Sequence, residues 1–405
     1  MLILNTLDTY RTPLDAADSA MLGGGAAEPV MRFVRGRDAY SPTPLLSLPG
    51  LAGALGLASL RLKDESRRFG LGSFKALGGA YAVACLAVEA ASERTNPPLD
   101  IADWRSPAVT DAAAQMTVVC ATAGNHGCSV AYGAQRVGAK CVVFVPAGAN
   151  AQRADRIARY GADVVRTPGN YDDAVAEASR AAEASGWIVV SDTSWPGYER
   201  IPRLVMQGYT LMLREVITEL AAPPTHVFIQ AGVGGVAASV SAHFAEVYGA
   251  TRPFVTVVEP SQAACVFESA RATRPVTIPP GRSTMMAMLD CHRPSLVAWG
   301  VLSRAADAFM TLEDEDAVAG MRRLARPLCD DPATVAGESG GIGLAALLHV
   351  AGDPELRTAI GLDSDSRVLL INTEGAIDPE RYRDLVGASP AAVARNTPGR
   401  ASLDA

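Results

Sequence analysis

TVVCATAGNHGCSVAYGAQRVGAKCVVFVP (117–146) reads as a strand, a helix and a second strand. TVVCAT (117–122) and CVVFVP (141–146) are short β-branched runs of strand type. Between them, GCSVAYGAQRVGA (127–139) is rich in Ala and Gly and reads as a helix. Outward from this unit the alternation continues. NAQRADRIARYGA (150–162) reads as a helix, DVVRTP (163–168) as a strand, YDDAVAEASRAAEASG (171–186) as a helix and WIVVSDT (187–193) as a strand. Strands alternating with helices of this length imply βαβ units, a parallel sheet and right-handed crossovers that cover both faces. A second series opens with the helical spacing of IPRLVMQGYTLMLREVITEL (201–220). THVFIQAG (225–232), VTVVEP (255–260) and RVLLINTEG (367–375) follow as strands. The expected fold is α/β, with two open sheets and a cleft between them. Ligands in such sheets bind beyond the carboxyl ends of the strands, so the residues after each strand run carry the candidates.

The 405 residues are 49% hydrophobic and 20% charged, enough for two or three domains with ordinary cores. That excludes fibrous and wholly disordered readings. The net charge of −7, from 36 Lys and Arg against 43 Asp and Glu, argues against a nucleic-acid partner. No apolar run approaches the ~20 residues of a membrane helix. MLILNTLDTYRTPLDAAD (1–18) lacks the basic region of a signal peptide. The seven cysteines (Cys85, Cys120, Cys128, Cys141, Cys265, Cys291, Cys329) are scattered, and none forms CxxC. No two of the five histidines stand at metal-ligand spacing. The expectation is a cytoplasmic protein without disulfides, structural zinc or membrane contact.

Six segments can carry chemistry. In RLKDESRRFGLGSFKALGGAYAVA (61–84), Ser73 is a candidate cap for a helix whose first turn holds Lys75. There the helix dipole disfavours a protonated amine, which suits a Schiff-base lysine; a surface lysine at a helix start is the plain alternative. ATAGNHGCSV (121–130) offers Thr122, Gly124, Asn125 and His126 at a strand–turn–helix junction that suits an anion; His126 is either a base or a structural group. QAGVGGVAAS (230–239) fits a phosphate cradle or a tight turn. Its spacing is neither that of a dinucleotide fingerprint nor that of a P-loop. NTEGAID (372–378) places Thr373 just past a buried strand, where its hydroxyl can meet a ring nitrogen or simply end the strand. AGESGGIGLAAL (336–347) offers Glu338 and Ser339, the latter readable as a helix cap. VVSDTSWPGYERIP (189–202) sets Asp192 after a strand, as a cap or as an acid in a ligand site.

In this order, the six segments resemble the fold-type II pyridoxal-phosphate enzymes, and within them the diaminopropionate ammonia-lyases. The likeness rests on PTPLLSL (42–48), KDESRRFGLGSFKALGGAYA (63–82), GNHG (124–127), NYDDAV (170–175), DTSWPGYERIP (192–202), MQGY (206–209), PTHVFIQAGVGG (224–235), VEP (258–260), GESG (337–340) and TEG (373–375). The resemblance implies that pyridoxal 5'-phosphate is held covalently by Lys75, with Phe74 beside it. Asn125 would bond the ring oxygen. Gly232, Val233, Gly234, Gly235 and Val236 would take the phosphate through backbone N–H groups. Thr373 would meet the ring nitrogen, and Glu338 would face the cofactor. Thr122, Ala123, Gly124, His126, Asp192 and Ser339 would contact a small amino-acid substrate, with Lys75 and Asp192 catalytic. The implied reaction is α,β-elimination of 2,3-diaminopropionate to pyruvate and ammonia by a homodimer.

One position departs from the family pattern. Ala123 stands where an aspartate usually precedes GNHG, an aspartate tied to proton abstraction from the D-isomer, so a preference for the L-isomer is expected. Residues 1–88 and 200–390 are expected to form a large cofactor-binding domain and 115–195 a small one, with 89–114 a connecting excursion and 391–405 a mobile tail. A serine/threonine-type dehydratase or another β-eliminase would share every cofactor contact. A non-catalytic metabolite-binding protein would use only the glycine loop and leave Lys75 and GNHG unexplained.

Overall fold

The computed structural model describes residues 1–37, 40–122, 124–149, 151–169, 171–279 and 281–395. Its strands are β1 (Leu2–Leu4), β2 (Leu45–Ser47), β3 (Ser59–Asp64), β4 (Thr117–Ala121), β5 (Lys140–Pro146), β6 (Asp163–Thr167), β7 (Ile188–Val189), β8 (His226–Gln230), β9 (Phe254–Pro260), β10 (Ala308–Leu312) and β11 (Arg367–Asn372). They form two sheets, in the orders β1-β10-β9-β8-β11-β3-β2 and β6-β5-β4-β7. The chain divides into two compact units. One comprises Met1–Ser19, Pro42–Phe74 and the chain from Met212 onward; the other comprises Ala20–Ser41 and Lys75–Leu211.

The first unit holds the larger sheet. Its strands from β10 to β3 are parallel, and β1 and β2 close the edges as antiparallel strands of three residues each. Such short edges leave little open ladder for another chain. All five residues of β8, HVFIQ, are buried, so this strand shows no polar alternation. Leu60 and Leu62 of β3, Phe228 of β8 and Leu370 of β11 pack with Ile342 and Leu347 of the helix Ile342–Ala351. Burying each such side chain contributes about 1.5–3 kcal/mol. The register sets Val368 of β11 beside His226 of β8, so both strands end together, at Asn372 and Gln230. RVLLINTEG therefore pairs in the sheet only as far as Asn372. Beyond it, the N–H groups of Phe74 and Gly375 donate to the carbonyls of Thr373 and Gly72, tying Gly72–Phe74 to Thr373–Gly375. Pro390–Arg395, expected at the start of a mobile tail, is a short helix whose Val393 packs near Tyr382 and Val386. Residues 396–405 lie outside the described residues.

The second unit holds the smaller, all-parallel sheet. Its helix Lys75–Ser92 lies against the helix Asn125–Val137 at glycines: a Cβ on Gly133 would stand 2.7 Å from Ala80 Cα. A Cβ on Gly78 would stand 2.6 Å from the Val205 carbonyl oxygen. These contacts explain why 75–88 and 200–211 group with the smaller sheet, although the sequence placed them in the larger domain. Within 89–114, expected as a connecting excursion, Ile101, Trp104, Val109, Ala112 and Ala113 are buried. Trp104 is 1% exposed, and its indole donates to the Phe33 carbonyl at 3.0 Å. WIVVSDT pairs only over β7, because the Ser191 N–H donates to the Tyr198 hydroxyl at 3.0 Å instead of continuing the ladder. Among the described residues no helix is long and apolar enough to cross a membrane.

Candidate active site

In the second unit, Lys75 opens the helix Lys75–Ser92, and its ammonium lies 2.5 Å from Asp192 Oδ2. Both side chains are about one-fifth exposed, at 21% and 18%. Burial pushes the Asp192 carboxyl up, but the Lys75 ammonium and then His126 outweigh it and hold it well below the usual carboxylate range. The turn after β7 fixes Asp192. Pro196 and Gly197 (φ +83°) make a tight turn, and the Tyr198 N–H donates to the Trp195 carbonyl at 2.9 Å. The Tyr198 hydroxyl then donates to the Val189 carbonyl at 2.8 Å, so one phenol clamps both ends of 189–191.

His126 and Asn125 begin the helix Asn125–Val137 and are 4% and 5% exposed. His126 Nε2 donates to the Val190 carbonyl at 2.8 Å, leaving Nδ1 toward Asp192 Oδ2 at 4.0 Å. Burial lowers the His126 pKa, and the Val190 carbonyl, which can only accept, fixes a proton on Nε2. This bond ties the GNHG turn to the chain before Asp192. Thr122 Oγ1 accepts from the Gly124 N–H at 3.0 Å. Gly127 has no room for a side chain: a Cβ there would stand 2.7 Å from Thr122 Cγ2. Ala123 lies outside the described residues. Tyr209, unassigned from the sequence, presents its ring 5.9 Å from the Lys75 ammonium. Burial pushes its phenol up to about 12, against the pull of Lys75.

The first unit holds the other candidates. The helix Gly235–Tyr248 starts after Gly234 (φ +97°), a left-handed position that favours glycine, and no side chain caps it. Its first N–H groups, those of Gly235 and Val236 among them, have no intrahelical acceptor and suit an anion. A Cβ on Gly232 would stand 3.0 Å from Cys291 Sγ, and the Val233 carbonyl accepts from the Ser295 N–H at 2.9 Å. Thr373 is 3% exposed, and its Oγ1 accepts from Gln230 Nε2 at 2.8 Å. Its carbonyl accepts from the Phe74 N–H at 3.0 Å, so the residue before Lys75 is fixed to the end of β11. Glu338 pairs with Arg381 at 2.8 Å. Ser339, 2% exposed, does not cap a helix, since the next one starts at Ile342 after Gly341.

The KDES–RFG stretch is a buried ionic cluster. Lys63, 0% exposed, bonds the Thr43 carbonyl and Glu215 Oε2, each at 2.6 Å, and Arg68 bridges Glu65 and Glu215. Lys63 is thus committed to structure, which sets it apart from Lys75. Sequence reading passed over Tyr209, Tyr198 and Gln230. Their signals were their places in MQGY, in WPGY and at the start of QAGVGG.

The family model for pyridoxal-phosphate dependent enzymes matches residues 37–374. A diaminopropionate ammonia-lyase of Escherichia coli (strain K12) is 36% identical over 403 residues, covering 96% of this chain and all of that protein. The crystal structure of the Escherichia coli diaminopropionate ammonia-lyase with an aminoacrylate-PLP azomethine reaction intermediate superposes with a TM-score of 0.85 at 35% identity. It covers 95% of this chain and 96% of that one. The structure of the same lyase in complex with D-serine gives a TM-score of 0.84 at 35% identity, with the same coverage.

Proposed function

The chain belongs to the pyridoxal-phosphate dependent enzyme family, and from that membership we propose that it eliminates ammonia from 2,3-diaminopropionate. With one water, each substrate yields pyruvate and two ammonia. The substrate loses its α-proton and β-amine, and the remaining enamine hydrolyses to pyruvate and the second ammonia. The residues present suit the cofactor. The uncapped helix start at Gly235 suits a phosphate, and the buried Thr373 hydroxyl suits a ring nitrogen. When bound, pyridoxal 5'-phosphate supplies the electron sink for carbanion chemistry at Cα. Lys75 would anchor it covalently and carry the α-proton on its amine. Asp192 would hold that amine in place and later meet a substrate amine. Asn125 and the 232–236 loop would fix ring and phosphate, with Phe74 and Glu338 beside them. Thr122, Gly124 and Ser339 would receive the substrate carboxylate, while His126 keeps the GNHG turn in register. A cytoplasmic homodimer and a preference for the L-isomer complete the reading.

One observation carries it. Lys75 follows directly on Phe74, whose N–H is bonded to Thr373, so the anchoring lysine and the residue for the ring nitrogen are tied through one stretch of backbone. The test is a substrate comparison. A kcat/KM for diaminopropionate well above those for L-serine and L-threonine supports the proposal. The reverse order would make the protein a dehydratase.

A further inference from the structure

We infer that Gln230 is a positioning residue, whose amide turns the Thr373 hydroxyl into a hydrogen-bond donor toward the cofactor's ring nitrogen. The inference rests on the cofactor reading above. Gln230 is the last residue of β8 and is 1% exposed. Its Nε2 lies 2.9 Å from the Ser339 carbonyl, 3.2 Å from that of Gly340, 3.3 Å from that of Ile371 and 2.8 Å from Thr373 Oγ1. Three of these four oxygens are carbonyls, which can only accept. The opposite amide orientation would press Oε1 against all three, so the nitrogen must face them. Oε1 has no partner among the described residues. Leaving a buried carbonyl unpaired is costly, so the contacts of the nitrogen dominate the placement.

The consequence falls on Thr373. A hydroxyl has one proton and two lone pairs. One lone pair receives the Gln230 proton, and no acceptor for the threonine's own proton occurs among the described residues. That proton is therefore available to a group that accepts, such as an unprotonated aromatic nitrogen. A protonated ring nitrogen would need the second lone pair and would strand the hydroxyl proton in a buried site. Gln230 thus biases the ring toward its uncharged form without touching it.

The test is nitrogen NMR of the holoenzyme carrying cofactor labelled with 15N at the ring nitrogen. The wild type should show an unprotonated nitrogen that accepts a hydrogen bond. In Gln230→Met, Thr373 Oγ1 no longer receives the amide proton, so its hydroxyl can accept from the ring nitrogen as readily as donate to it. The nitrogen resonance should then move, and kcat should fall about tenfold while KM changes little. An unmoved resonance in the variant, or a protonated nitrogen in the wild type, overturns the inference and leaves the enzyme class standing. A wild type that binds no cofactor overturns the proposed function as well. Should Gln230→Met fail to fold, neutron diffraction from wild-type holoenzyme crystals decides the point. A Thr373 proton aimed at the ring nitrogen, with a Gln230 proton on Oγ1, supports it, and any other placement overturns it.

Discussion

A lysine 2.5 Å from a carboxylate is held in one place, and Asp192 does this for Lys75. Lys75→Ala should abolish turnover and the visible absorption band of bound cofactor, and it should lower the unfolding temperature as well, because it leaves the largely buried Asp192 carboxylate without its ammonium. A retained band would point to another lysine, although Lys63 is locked against Glu215. The sequence left His126 open between base and structural group. The Nε2 bond to Val190 supports the structural role, and only the fold brings the two residues together. Ala123 is a residue whose chemistry the sequence alone states: a methyl group cannot take a proton. Loss of a general base costs ~10²–10⁴-fold, so D-diaminopropionate should turn over that much more slowly than the L-isomer. Ala123→Asp should raise the D-isomer rate. Equal rates for both isomers in the unmodified protein would refute this prediction.

At the scale of elements, small residues set the distances. A Cβ on Gly78 would meet the Val205 carbonyl and the Tyr209 ring, each at 2.6 Å, so the helix carrying Lys75 sits as close as backbone allows. Gly78→Val should cost about 1–3 kcal/mol in urea unfolding and displace Lys75 from Asp192, lowering kcat as well. Unchanged stability would mean that the two helices part easily. The βαβ alternation was legible because parallel strands buried on both faces read as continuous apolar runs, as in HVFIQ and CVVFVP. β1 and β2 were not legible, since three residues at a sheet edge carry no period. The packing of Trp104 was hidden by its turn-rich neighbours. The candidate residues were found through motif order, whereas Tyr198 and Gln230 act through backbone contacts that no spacing reveals.

At the scale of the whole molecule, buried charge sets the response to pH. Glu259 is fully buried, and burial pushes its carboxyl up to about 8 even though it accepts from the Val266 and Phe267 N–H groups. A raised folded pKa means that the native state keeps a proton the unfolded chain has lost. The associated stability is present below the unfolded value of ~4.3 and is lost as pH rises toward 8. Urea unfolding should show that decline, and Glu259→Gln should lack it; identical pH profiles would mean the group is ionised in the native state.

Elimination from diaminopropionate sets a fixed ratio of products. Purified holoenzyme is given 2,3-diaminopropionate as its only amino acid, and pyruvate and ammonia are counted together. Two ammonia should appear for each pyruvate, and both should be lost in Lys75→Ala. Ammonia without pyruvate, or no product while L-serine yields pyruvate, would contradict it.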